Sequence, residues 1–364
     1  MQTAQAMSAP ETIPAKAATA PAQPPRTAPP PGAGARLARG LAFDRIGAIY
    51  VWALIAIVFA IWVPNEFPHL ATVKQVLNAN AITALAALSI IIPLTTRTFD
   101  LSFAFTMTLA GVTAAHFVAA GWPVVAAVAA GLVVALAIGL VNAIVVVGMR
   151  IDSFIATLAT GSLIQALITM ATGDTPILNL KLAGGFAKIG QTEIAGFTLP
   201  VVYAVIVALG IWYLLEHTAT GRRLYATGFN SDAAKLAGVH VDRLRFMSLI
   251  VSGGLAGVAG IVLASTLQSG SPSAGSPYLL PAFAAAILGA TQLKHGRFNA
   301  WGTIIAVLLL GTGTTGLALA NAPQWAANMF VGVVLIASLA VTGLQRAPAG
   351  RRRLAWTRLR RATA

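Results

Sequence analysis

The sequence has no cysteine, and only 9% of its 364 residues are charged. The first absence excludes disulfides, thiolate metal sites and a cysteine nucleophile. The second excludes an ordinary soluble domain, in which about a quarter of residues carry charge. Acids are the scarcer sign, with 10 Asp+Glu against 24 Lys+Arg. No Asp or Glu falls in the middle of an apolar stretch, so a mid-membrane carboxylate relay of the kind an ion-coupled pump uses is not expected. The five histidines, His69, His116, His217, His240 and His295, are scattered without H-E-x-x-H or other paired spacing. No metal site is expected from them. The chain also lacks a G-x-x-x-x-G-K-S/T loop, a G-x-S-x-G elbow and a G-x-G-x-x-G following a strand. No residue is assigned a catalytic role, and any nucleotide must be handled by another chain.

What is abundant is apolar: 57% of residues are hydrophobic and the mean hydropathy is +0.80, a composition suited to a lipid bilayer. An ionised side chain at the bilayer centre costs at least about 2.5 kcal/mol, so charges mark the edges of membrane spans. Arg45 to Glu66, Lys74 to Arg97, Asp152 to Asp174 and Glu193 to Glu216 each enclose one uncharged run, close to the roughly 20 residues a helix needs to cross. The runs from Asp100 to Arg150, Arg245 to Lys294 and Arg297 to Arg346 are about twice as long, and each contains a Pro/Gly/Ser/Asn break near its middle: Gly121-Trp122-Pro123, Ser269 to Pro277, and Asn321 to Gln324. The expected fold is all-α, polytopic, with about ten transmembrane helices. The weakest span is Tyr278 to Leu293, short and carrying Pro281; a full span is expected there, with a broken or re-entrant element as the alternative.

An even number of spans puts both termini on one side. With that side cytoplasmic, every lysine and arginine except Lys74, Lys181 and Lys188 lies inside, as the positive-inside rule requires. The net charge of +14 is then a matter of topology and attraction to anionic membrane lipid, with no nucleic-acid partner expected. Residues 1–44 read as a disordered Ala/Pro-rich cytoplasmic tail without a signal-peptide core. Residues 45–345 form the membrane domain, and 346–364 a basic cytoplasmic tail.

Within the spans the polar residues are amides and hydroxyls. Asn142, Thr157, Thr160 and Gln165 can hydrogen-bond a neutral polar solute without a charge cost and are candidates for a substrate path; the competing reading is glue between helices. Gly253 and Gly257 have the small-x-x-x-small spacing of close helix packing. Asp100 and Asp152 each follow an arginine, Arg97 and Arg150, and precede an apolar run, the pattern of a helix cap. The one long charged loop, Glu216 to Arg245, contains a brief helix: Asn230 or Ser231 can cap it, Ala233 and Ala234 favour it, and Gly238 can end it in the left-handed conformation. Such a helix can enter a groove on a partner, or serve as a plain connector.

The run Thr220-Gly221-Arg222-Arg223-Leu224-Tyr225-Ala226-Thr227-Gly228-Phe229-Asn230, followed by Ala233-Ala234 and Gly238-Val239, resembles the permeases of ribose-type ABC importers. The likeness extends through Gly139, Asn142 and Phe154-Ile155-Ala156-Thr157-Leu158 upstream. Downstream it includes Ser252-Gly253, Ala256-Gly257, Ala259-Gly260, Ala274-Gly275, Tyr278, Gly289, Gly296 and Gly302-Thr303, covering residues 45 to 345. It implies a bacterial inner-membrane permease that pairs as a homodimer. Such a permease takes a sugar from a periplasmic binding protein and docks separate ATPase subunits, which use ATP and Mg. The docking residues it implies are Arg222, Arg223, Gly228, Asn230, Ala233, Ala234 and Gly238. The chain departs from the family pattern where Arg97-Thr98 replace a Gly pair, where Phe229 replaces a Gly, near Pro281 where an acid is usual, and at Lys294-His295. An ion-coupled secondary transporter is the alternative class, with ATPase inhibition against protonophore sensitivity as the discriminating observation.

Overall fold

The structure, a computed structural model, describes residues 43–292 and 296–346; residues 1–42 and 347–364 of the expected tails, with Lys294 and His295, lie outside the described residues. Among the described residues twelve α-helices of six residues or more organise the chain. The first five are α1 (Phe43–Trp62), α2 (Leu70–Thr95), α3 (Phe103–Ala119), α4 (Val124–Ala143, prolonged by a π-turn at Ile144–Gly148) and α5 (Ser153–Thr172). They are followed by α6 (Leu199–His217), α7 (Ala219–Phe229), α8 (Ser231–Leu236) and α9 (Val241–Leu267). The last three are α10 (Leu279–Gln292), α11 (Ala300–Leu319) and α12 (Gln324–Arg346).

Six of these are long and apolar enough to cross a membrane, and four shorter apolar helices lie at the remaining expected positions, in α1, α3, α10 and α12. The spans and their turns therefore fall where the charge fences put them. Pro281 does not break its helix: α10 runs on from a 3-10 turn at Ser276–Tyr278. Its described part, 14 residues, rises about 21 Å.

Helix α9 is the hub, and small residues are the reason. A Cβ on Gly260 would meet the Met107 carbonyl of α3, and one on Gly253 would lie 2.6 Å from Ala135 O and 2.9 Å from Gly139 Cα of α4. Without a hydrophobic driving force between helices in lipid, such close backbone approach is what supplies van der Waals contact. Around this seam Leu85, Ile90, Leu94, Phe103, Met107, Ala256 and Ala259 form one buried cluster with α10 and α11.

The connections after α5 are tied back to the bundle. Strand β1 (Ile177–Leu178) pairs antiparallel with β4 (Ser269–Gly270), so the loop after α5 is joined to the end of α9. Strands β2 (Glu193–Ile194) and β3 (Phe197–Thr198) form a hairpin whose two turn residues, Ala195 and Gly196, both have positive φ, as a two-residue hairpin turn requires. Lys74 Nζ donates to Ala195 O at 3.0 Å, and Asn78 Oδ1 accepts from Thr198 N at 2.9 Å, pinning the hairpin to α2.

Candidate coupling and translocation site

The segment between α6 and α9 is a compact module. Thr218 caps α7, accepting from Gly221 N at 3.1 Å. The buried face of α7 carries Gly221, Leu224, Tyr225 and Gly228. At Gly228 a Cβ would collide with the Thr95 carbonyl at the end of α2, so this contact admits only glycine. Arg222 and Arg223 are on the exposed face.

Helix α8 begins and ends as its residues dictate. Asn230 Oδ1 accepts from Asp232 N at 3.1 Å and Ala233 N at 3.0 Å, which satisfies two orphan donors of the first turn. Gly238 has φ +80°; its N–H bonds Lys235 O and that of Val239 bonds Ala234 O, a Schellman closure. The alanine pair divides: Ala234 is 5% exposed and packs on the chain itself, whereas Ala233 faces outward. Two residues outside the implied docking set also face outward, Leu236 at 92% and Phe229 at 66% exposure. Their signal is large apolar side chains in an otherwise polar loop.

Tyr225 anchors this module. Its hydroxyl donates to Phe298 O at 2.7 Å, and the Arg297 guanidinium lies 4.5 Å from its ring centroid and 5.6 Å from that of Phe229, within cation–π range. Burial, with Glu216 adding to it and Arg297 opposing, pushes the phenol up to about 12. A cavity of about 330 Å³ lies between this module and the ends of α2 and the 296–298 link, lined by Thr95, Arg97, Gly228, Phe229 and Arg297 among others. Beside it, a cleft of about 510 Å³ is lined by Arg97, Arg150, Asp152, Lys235, Asp242 and Arg245 with Val146, Val147 and Ile151.

Two of the in-span polar residues, Thr160 and Asn142, belong to one chain of hydrogen bonds. Thr160 Oγ1 donates to Asn142 Oδ1 at 2.6 Å, Asn142 Nδ2 to Ser102 Oγ at 2.6 Å, and Ser102 Oγ to Asp100 Oδ1 at 2.7 Å. Thr157 Oγ1 accepts from Leu101 N at 3.0 Å. Gln165 stands apart: Nε2 donates to Pro272 O at 3.3 Å, while its buried Oε1 has no partner. Asp152 is the helix cap its sequence suggests, accepting from Phe154 N and Ile155 N. Asp100 is more than a cap. It is 1% exposed, and besides Ser102 N it binds Ser252 Oγ of α9, because the 96–102 link folds inward between α3, α4 and α9. Among the described residues no group of His, Asp and Glu could hold a metal ion.

A multi-pass helical bundle with a capped helical module on one face, and a buried polar network without a metal cluster among the described residues, has the architecture of a membrane permease. The family described as the permease component of the branched-chain amino acid transport system matches residues 72–339, and the chain belongs to it. Among curated relatives, the ribose import permease protein of Escherichia coli (strain K12) is 34% identical over 80% of this chain and 91% of its own length. The ribose import permease protein of Bacillus subtilis (strain 168) is 31% identical, with 80% of this chain and 91% of the relative covered. The L-arabinose transport system permease protein of Escherichia coli (strain K12) is 32% identical over 82% of this chain and 90% of its own length. The chain is thus a multi-pass membrane permease component, without an ATPase site of its own.

Proposed function

We propose that this chain is the membrane-spanning subunit of a sugar importer of the ABC type, in the bacterial inner membrane with both termini cytoplasmic. It would work as a homodimer, with a periplasmic sugar-binding protein on the outer face and ATPase subunits, using ATP and Mg, on the inner face. The observation that carries this is the α7–α8 module: capped at both ends, fixed to α2 through Gly228, and presenting Arg222, Arg223, Phe229, Ala233 and Leu236 outward. Asn230 and Gly238 set the shape of that surface, and Ala234 seats it on the permease. An ATPase can shift the permease between inward- and outward-open states only by binding the two with different affinity. A module this rigidly held transmits such a difference into α2 and α9.

For the solute path, Gln165 is the proposed polar contact, because it retains an unpaired oxygen. Asn142, Thr157 and Thr160 hold the neighbouring wall through the bonds described above. The deciding experiment is copurification and uptake with Ala233→Arg, which alters only the outward face. The ATPase subunit should copurify with the wild-type chain and not with the variant, and uptake should fail with the variant still inserted. Undiminished copurification would reject the docking role. Uptake stopped by a protonophore and not by ATPase inhibition would reject the ABC reading.

A further inference from the structure

Two observations meet in the 510 Å³ cleft at the inner ends of α2, α4, α5 and α9. The first is charge without neutralisation. Arg97, Arg150, Lys235 and Arg245 face Asp152 and Asp242, and Asp152 is already engaged by two backbone N–H groups of α5. Among the described residues no hydrogen bond joins any of the four cationic side chains to either carboxylate, and Arg245 Nε is buried without any partner. A buried guanidinium N–H left unpaired is costly, and Arg245 is one of the residues lining the cleft. The second is backbone geometry. Arg97 and Arg150 both have φ 57°, in the left-handed region that disfavours side chains. Each is placed just beyond a helix end so that both line the same cleft.

We propose that this cleft binds a phosphate-bearing anion, the headgroup of an anionic phospholipid. Guanidinium forks match phosphate oxygens in pairs, and basic pockets between spans on the cytoplasmic side suit such headgroups. The lipid source follows from what adjoins the cations. Val146, Val147 and Ile151 line the cleft itself, and Met149, Phe154 and Ile155 beside it are exposed, an apolar surface that an acyl chain covers. The proposal rests on the orientation proposed above, which is read separately: a cysteine introduced at Ala233 is unique in a chain that has none, and its labelling reports the side of the membrane.

The test uses the purified full chain in detergent, with thermal unfolding followed after adding phosphatidylglycerol, phosphatidylcholine or inorganic phosphate. Phosphatidylglycerol should raise the midpoint by several degrees over phosphatidylcholine. Arg97→Gly and Arg245→Gln should lose most of that shift, while Arg243→Gln, exposed and outside the cleft, should keep it. Arg97→Gly is the decisive variant, since glycine takes the left-handed conformation freely and the fold is retained. A shift with inorganic phosphate alone supports the anion site and reassigns its source to free phosphate. No shift in the wild type, or an undiminished shift in both cleft variants, overturns the proposal. So does an intact lipid response in variants that lose only ATPase copurification, because the cleft is then a protein-docking surface.

Discussion

Ser252 donates a 2.7 Å hydrogen bond to Asp100 Oδ2, joining the link between α2 and α3 to the interior of α9. Both residues are buried, so removing the hydroxyl leaves a carboxylate oxygen short of a donor, at a cost of about 1–3 kcal/mol. Ser252→Ala should lower the unfolding midpoint of the purified permease. Asp100→Ala should lower it further, because Ser102 loses its acceptor as well. The two effects should be markedly non-additive in a double-mutant cycle; simple additivity would show that the bond contributes nothing.

The glycine seam predicts a graded series. Gly260→Ala drives a methyl into the Met107 carbonyl and should abolish stable expression. Gly254→Ala meets only the end of the Leu136 side chain and should be milder. Gly210→Ala, with nothing within 4 Å, should express and unfold like the wild type. Equal behaviour of the three would refute the close-packing account.

Tyr225 gives a pH signature. Its phenol is held up to about 12, above the ordinary value near 10. A group whose folded value is raised contributes stability that is whole below pH 10 and is lost as pH rises through about 12. Tyr225→Phe leaves Phe298 O without its donor and should cost about 1 kcal/mol at neutral pH. That difference from the wild type should narrow between pH 10 and 12. A difference independent of pH would place the hydroxyl outside the folding linkage.

Arg97 predicts a gain. Its φ of 57° strains any residue with a side chain by about 1 kcal/mol or more, while the capping bonds Arg97 N to Leu94 O and Thr98 N to Pro93 O come from the backbone and survive substitution. In lipid-free detergent, Arg97→Gly should unfold at a higher temperature than the wild type. An unchanged or lower midpoint would mean that the arginine side chain more than offsets its backbone strain.

The spans and the small helix were legible because their signals are local: charges at span edges, Pro/Gly turns, an Asn cap and a Gly terminator around Ser231–Leu236. Most of the features that sequence reading missed depend on contacts distant in the chain. Asp100 reads as a cap until α9 brings Ser252 to it. The alanine pair looks equivalent until the packing buries Ala234 and leaves Ala233 out. Asn142, Thr157 and Thr160 are polar positions on their helices, and only the fold shows Thr160 donating to Asn142, Asn142 donating to Ser102, and Thr157 accepting from Leu101 N. The π-turn at Ile144–Gly148 lies in a run of β-branched residues that carries no mark of it.

Helix α9 is one uninterrupted element of 27 residues, a rod about 40 Å long. Its N-terminal end follows directly on the α8 module, and its C-terminal end passes into the strand that pairs with the loop after α5. The glycine contacts lie along its shaft between those two ends, so a rigid α9 tilting about them would move its ends in opposite directions.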